Sequence, residues 1–334
     1  MLGIVAIGRN EGDRLKACLA AASAVRSAGQ PATVVYVDSG STDGSRDAAV
    51  AAGAHVVELD LSKPFTAARA RNEGFDRLMS VAPDCRFVQF LDGDCVLQGD
   101  WIDRALRTFG EKPQAAVVCG RRREKFPDAT IYNKLCDVEW DTPVGRALAS
   151  GGDALVKVEA FQKVGGYNSG VIAGEEPEMC VRLRAAGYEI WRIDAEMTLH
   201  DAAMTRFGQW WNRTLRAGHA YAEGAAMHGQ PPERHWVKEV RSNYVWGLIM
   251  PLTALLLAWP TYGLSLLLFA AYPLLGYRVY KYYKGRGVAP RDARLVAFFV
   301  AIGKLPSALG QLKYRWRKLT GQQSKIIEYK TATT

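Results

Sequence analysis

The 34 residues from Tyr244 to Tyr277, YVWGLIMPLTALLLAWPTYGLSLLLFAAYPLLGY, contain no charged side chain. One straight helix of that length would run about 50 Å at 1.5 Å per residue, well beyond the roughly 30 Å hydrocarbon core of a bilayer. Pro260, with Gly263 just beyond it, cuts the run into two arms of about half its length. Basic residues flank both ends: Arg234, Lys238 and Arg241 before it, Arg278, Lys281 and Lys284 after it. The positive-inside rule then puts both ends on the cytosolic side. The expectation is a hairpin over 244–277 that either crosses twice or re-enters without crossing. A third apolar stretch, 295–310, is interrupted by Lys304 and Pro306 and leads into KYRWRK; it reads as an interfacial helix. The alternative is a buried helical hairpin of a soluble domain.

The charge of the chain belongs to the same region. The formal net charge is +9, yet residues 276–318 alone hold eleven Lys and Arg against Asp292, so the remainder is close to neutral. Basic residues beside apolar segments favour an anionic membrane surface over nucleic acid as partner. The six cysteines (Cys18, Cys85, Cys95, Cys119, Cys136, Cys180) form no CxxC pair, which argues against zinc and fits reduced thiols. Met1 is followed at once by a strand-like run with no basic n-region and apolar h-region, so no signal peptide is expected.

Upstream, short apolar runs alternate with helix-forming ones. Strands are expected at 2–7 (LGIVAI), 33–38 (TVVYVD), 54–59 (AHVVEL), 86–91 and 115–119 (AAVVC). Helices are expected at 13–27, 44–52, 65–80 and 100–110. This alternation implies an α/β domain built on a mostly parallel sheet with right-handed crossovers. GxGxxG is absent after the first strand, which counts against a dinucleotide-binding domain.

The chemistry-bearing residues fall at strand ends. Asp38 ends the second strand, Glu11 lies just beyond the first, and FVQFLDGD carries Asp92 and Asp94 off the end of the fourth. A parallel sheet gathers such residues on one edge, where open α/β sheets bind ligands. Two carboxylates there suit Mg²⁺ or Mn²⁺, which in turn hold phosphate oxygens. In an extended segment Asp92 and Asp94 would face opposite ways; Gly93 would let the backbone turn them toward one ion. The bland alternative is a solvated Asp-Gly turn.

VAIGRNEGDRL, VYVDSGSTDGS, ARARNEGF, FLDGD and AGEEPEMCVRLRAAGY, in that order over residues 1–225, resemble family 2 glycosyltransferases of GT-A fold. The resemblance implies an inverting, metal-dependent enzyme using a UDP- or GDP-sugar. It places Asp38 on the nucleotide base and Glu11 along the nucleoside pocket. Arg71, with Arg69 as second candidate, would face the base or diphosphate. Asp94 would bind Mn²⁺ or Mg²⁺, with Asp92 reaching the ribose, the diphosphate or the metal. Gly152 and Asp153 lie where the family brings tight backbone against the donor sugar, and His200 where a further metal ligand or diphosphate contact can stand. The catalytic base matches Glu176, although the family's usual ED pair is Glu175-Glu176 here, so Glu175 remains a candidate.

Residues 206–221 read as an amphipathic helix facing the acceptor or the interface. Gln209 to Arg213 do not form the QxxRW of processive synthases. The domain expectation is a catalytic domain over 1–235, membrane-associated helices over 236–318 and a polar tail over 319–334. The expected activity is transfer of one sugar to a membrane-held, lipid-linked saccharide at the cytoplasmic face of the plasma membrane. The alternatives are transfer to a polyprenyl phosphate, or a catalytically silent scaffold subunit of a polysaccharide assembly complex.

Overall fold

The computed structural model describes residues 1–27 and 29–322; most of the expected polar tail lies outside them. The chain forms two compact units, residues 1–126 with 140–202, and residues 127–139 with 203–334. These units divide at Ala202, whereas the expected catalytic domain runs to residue 235.

The first unit runs β1 (Leu2–Gly8), α1 (Asp13–Ala24), a small hairpin of β2 (Arg26–Ser27) and β3 (Gln30–Pro31), β4 (Thr33–Asp38), α2 (Ser45–Ala51), β5 (His55–Glu58) and α3 (Ala67–Val81). It continues with β6 (Phe87–Asp92), β7 (Cys95–Leu97), α4 (Trp101–Glu111) and β8 (Ala115–Glu124). After α5 (Ile131–Trp140), most of which belongs to the second unit, come β9 (Gly145–Ala147), β10 (Ala154–Lys157), α6 (Val158–Lys163), α7 (Glu175–Ala185) and β11 (Glu189–His200). The main sheet has the order β5-β4-β1-β6-β10-β8-β11-β7, with β9 beside β11. The expected parallel sheet holds from β5 to β6, and β8 with β11 is also parallel. The sheet is nonetheless mixed, because β10, β7 and β9 enter it antiparallel. Those segments are three or four residues long, too short to declare themselves by periodicity.

β1 and β4 are apolar along almost their whole length because helices cover both faces. α3 covers them on one side. A Cβ on Gly74 would come within 2.4 Å of Val5 Cγ1 and 2.7 Å of Val37 Cγ2, so only glycine permits the helix to sit this close. Arg71, Gly74, Phe75 and Leu78 are all buried and follow helical spacing. The arginine therefore stands at the head of the core-facing stripe.

The second unit contains α8 (Phe207–His228), α9 (Val237–Tyr244), a π-helical turn (Val245–Ile249), α10 (Met250–Leu256), a 3₁₀ helix (Leu264–Ala270), α11 (Ala271–Gly285), α12 (Pro290–Ile302) and α13 (Lys304–Leu319). α8 and α13 lie backbone to backbone. A Cβ on Gly218 would meet Ser307 O at 2.0 Å, and one on Gly310 would meet Leu215 O at 2.0 Å. This packing binds 203–235 to the C-terminal helices and sets the unit boundary.

Candidate active site

Strand register fixes the first elements of the site. Gly8 pairs with Asp38 on one side of β1, and Ile7 with Asp92 on the other, so both aspartates sit at the same sheet edge. The two loops beyond this edge are stitched together. Asn10, held at φ 55°, accepts a bond from Thr42 N at 2.7 Å, and Gly12 N donates to Asp43 Oδ2 at 2.9 Å. Asp38 is buried; its Oδ2 accepts from Gly40 N (3.0 Å) and Ser41 N (2.8 Å), and Tyr36 Oη donates to its Oδ1 (3.2 Å). It holds the loop as much as it lines it. Glu11 pairs with Arg14 at 2.8 Å and packs beside Gly93.

Arg71 is the hub. Its Nη2 donates to Asp92 Oδ1 at 2.8 Å, while its Nη1 lies 2.8 Å from Glu175 Oε1 and 3.0 Å from Glu176 Oε1. The guanidinium also lies over the Tyr167 ring, 5.6 Å from its centre. α7 delivers both glutamates in its first turn, opened by Gly174 in the left-handed region at φ 80°. Burial, and Glu175 next to it, push the Glu176 carboxyl up to about 7 against the pull of Arg71.

The two aspartates of the DGD turn part company, as an extended segment requires. Asp92 has one oxygen on Arg71 and the other on Arg122 Nη2 at 2.8 Å. Asp94 is buried with its Oδ2 3.1 Å from His200 Nε2. Gly93 takes no left-handed φ; a Cβ there would stand 3.1 Å from Ile7 O, so it is kept small by space. Asp94, in the turn just before β7, and His200, at the end of β11 opposite Cys95, bring a carboxylate and an imidazole together. That donor set fits a divalent cation, Mn²⁺ better than Mg²⁺. Cys95 is close to both aspartates, but burial and the surrounding acids raise its thiol well above its ordinary value, and a neutral thiol is a poor ligand.

Two expected residues, Arg69 and Asp153, stand elsewhere. Arg69 turns away from the carboxylates and donates to Pro64 O (3.1 Å) and Asp60 O (2.9 Å), fixing the loop after β5. Asp153 has no exposed side-chain surface; it accepts from Asp92 N (3.1 Å) and Thr198 Oγ1 (2.8 Å) and pairs with Arg122 Nε (3.2 Å). It braces the site from below. Gly152 is central: a Cβ there would lie 2.7 Å from Arg71 Nη2, 3.1 Å from Asp92 Oδ2 and 3.2 Å from Glu176 Oε1. Gly152→Ala should therefore displace these groups and cut turnover by about ten- to a hundredfold at a stability cost of about 1–3 kcal/mol. Gly151→Ala, with nothing within 4 Å of its Cβ, should be silent. Steady-state rates and melting temperatures of the pair decide it; equal behaviour would sink the packing argument.

Two residues were not anticipated. Arg122, half-buried on β8, joins Asp92 to Asp153, and Trp140 lies beneath it, 5.1 Å from ring centre to guanidinium and 4.6 Å between ring centres from His200. β8 runs five residues past the expected end at Cys119, through GRRRE, because each arginine finds an acid. Arg121 reaches Asp141, Arg122 reaches Asp92 and Asp153, and Arg123 reaches Glu196.

Residues 4–151 match the family description "Glycosyl transferase family 2". Over those residues the chain is similar to glycosyl transferase family 2. It is 29% identical over 177 residues to the succinoglycan biosynthesis protein ExoA of Rhizobium meliloti, covering 49% of this chain and 52% of that one. It is 25% identical over 176 residues to the O-antigen chain rhamnosyltransferase WbaN of Salmonella anatum, covering 48% and 54%. The chain thus matches about half the length of these curated relatives. Among solved structures, the Pyrobaculum calidifontis mannosyltransferase PcManGT, in complex with GDP-Man and Mn²⁺, shares the fold at TM-score 0.59 and 17% identity over 95% of this chain and 87% of that one. S. aureus TarS 1-349, in complex with UDP-GlcNAc, shares it at TM-score 0.52 and 12% identity over 96% and 92%. The first unit accordingly has the GT-A type α/β fold of these structures.

Proposed function

We propose that this chain is a glycosyltransferase that moves one sugar from a UDP- or GDP-sugar to a hydroxyl of a membrane-held, lipid-linked acceptor, with inversion at the anomeric carbon. The observation that carries this reading is Glu176, partly open beside Gly152 and raised to about 7. A carboxylate of that basicity is matched to taking a proton near neutral pH. Glu176 accepts the acceptor's hydroxyl proton while that oxygen bonds to the anomeric carbon and the bond from that carbon to the diphosphate oxygen breaks. Glu175, less exposed and bonded to Arg71, is the poorer base and serves to hold the arginine. The wall of Glu11, Asp38 and the stitched loops receives the nucleoside. Asp94 and His200 would hold Mn²⁺ or Mg²⁺, which when bound offsets charge on the leaving diphosphate. PcManGT and TarS, whose structures carry GDP-Man and UDP-GlcNAc, support a donor of this class without choosing the base. The acceptor at a cytosolic membrane face is supported by the charge-free run over 244–277 and its basic flanks.

Product analysis by NMR tests inversion: a donor and product of the same anomeric configuration would overturn it. Asp94→Asn and His200→Ala should each weaken Mn²⁺-dependent binding of UDP or GDP by about tenfold or more, read by calorimetry with and without the metal. Unchanged affinity in both would remove these residues from the cation site.

A further inference from the structure

Within the second unit, the segment from Met250 to Ala270 projects as a hairpin with an apolar surface. Its base is held by protein: Gly247 leaves room for the Lys304 backbone, and Lys304 Nζ donates to Ser242 Oγ (3.0 Å) and Asn243 Oδ1 (3.2 Å). Beyond Ile249 the arms pack chiefly on each other. Leu256, Leu264 and Leu267 are exposed, and at the tip Trp259 is 92% and Tyr262 101% exposed. An apolar surface this continuous marks an interaction site.

The tip is built for a medium without water. Ser265 Oγ donates to Ala254 O (2.7 Å), Thr261 Oγ1 to Leu257 O (2.6 Å) and Gly263 N to Ala258 O (2.7 Å). These are trailing carbonyls that water would serve at an ordinary helix end. Pro260 carries no N–H to satisfy. In hydrocarbon each unmet group costs several kcal/mol, so such internal pairing is a requirement of lipid burial.

Reach decides how far the hairpin goes. α10, seven residues long, rises about 10 Å. The returning seven-residue 3₁₀ arm rises about 14 Å. These are about a third and about half of the roughly 30 Å hydrocarbon core. Among the described residues one helical run, Pro290–Leu319, is long and apolar enough to cross a membrane, but half of its apolar window is buried. Its exposed side carries Phe298, Leu305, Leu309, Leu312 and Trp316 at helical spacing, with Lys313, Arg315 and Arg317 interleaved. That is the pattern of a helix lying in the interface. Arg278, Lys281 and Lys284 follow the hairpin where anionic headgroups would stand.

We infer that the hairpin tip at Trp259–Tyr262 sinks into one leaflet of an anionic bilayer and returns without crossing, while α12 and α13 lie along the surface. This rests on the membrane reading above and settles it to a monotopic attachment. Trp259→Cys in the full chain gives a labelling site, since the six native cysteines are all buried. The labelled protein is added to preformed phosphatidylcholine–phosphatidylglycerol vesicles. The expected result is stronger quenching of a fluorophore at 259 by lipids labelled deep in the acyl chain than by lipids labelled at the headgroup. The fluorophore should also resist an impermeant reductant added outside or trapped inside. Bleaching by the trapped reductant alone would mean a full crossing and overturn the inference. Leu267→Arg, at an exposed position, should leave the melting temperature unchanged and lower vesicle partitioning about 100-fold; equal partitioning would also overturn it. If the wild-type chain stays off vesicles while it still transfers sugar to a water-soluble acceptor, the membrane reading itself fails and the transferase reading stands.

Discussion

Glu176→Gln should lower kcat by about 10²–10⁴-fold, the usual worth of a general base, while nucleotide-sugar affinity changes little. Gln keeps the length of the side chain and the neighbourhood of Arg71 but cannot accept a proton. The pH dependence is the sharper readout. Glu176 must be ionised to act, and its carboxyl is raised to about 7 by burial and by Glu175. Wild-type turnover should therefore rise about tenfold per pH unit below that value and level off above it, whereas the residual rate of the Gln variant should be flat there. Stability should move the other way. A carboxyl whose folded pKa lies above its ordinary value of 4.5 binds more protons folded than unfolded. The stability it contributes is complete at low pH and is lost as pH rises through about 7. Glu176→Gln removes that loss, so the variant should melt higher than wild type at pH 8 and equal it near pH 5. A variant that keeps its rate within a few-fold and its acid limb would move the base to Glu175, whose Gln variant is the control.

The N-terminal half of the sheet was legible because its strands are short unbroken apolar runs whose ends carry the acids. Asp38, Asp92 and Asp94 could be placed on one edge from topology alone. What topology could not say is which way each acid turns. Asp94 was expected on the ion, with Asp92 reaching the ribose, the diphosphate or the metal; Arg71 and Arg122 hold both oxygens of Asp92, and Asp94 meets His200. Arg71 was put ahead of Arg69 in ARARNEGF; only Arg71 shares the stripe of Gly74, Phe75 and Leu78, and that spacing was available in the sequence. Arg122 was not. A run of three arginines reads as the end of a strand, and only the cross-sheet partners, contributed by β6, β10 and β11, turn it into strand interior. The C-terminal hairpin was visible as composition, but its true reach depended on α13 covering its base, a contact about 60 residues away in sequence.

Arg71→Met should destabilise the first unit by about 3–5 kcal/mol, the cost of breaking a buried ion cluster by removing one partner. Met fills similar volume and buries no charge, so the effect isolates the guanidinium. Without it, Asp92 keeps its pair with Arg122, and Glu175 and Glu176 lose the cation they share. Arg71 is what holds the Glu176 carboxyl down against burial and Glu175. Its removal raises that pKa further, so the variant's disadvantage should grow as pH rises from 5 to 8. Calorimetric melting at both values checks the sign. The double variant Arg71→Met with Glu176→Gln should recover part of the loss at pH 8, because one uncompensated buried charge is gone. An additive double variant would show that the two side chains are not coupled, and a single-variant cost below about 1 kcal/mol would reduce Arg71 to a surface-type pair. Arg71→Lys separates charge from geometry. One ammonium cannot meet Asp92, Glu175 and Glu176 with the spread of a planar fork, so it should restore more stability than activity.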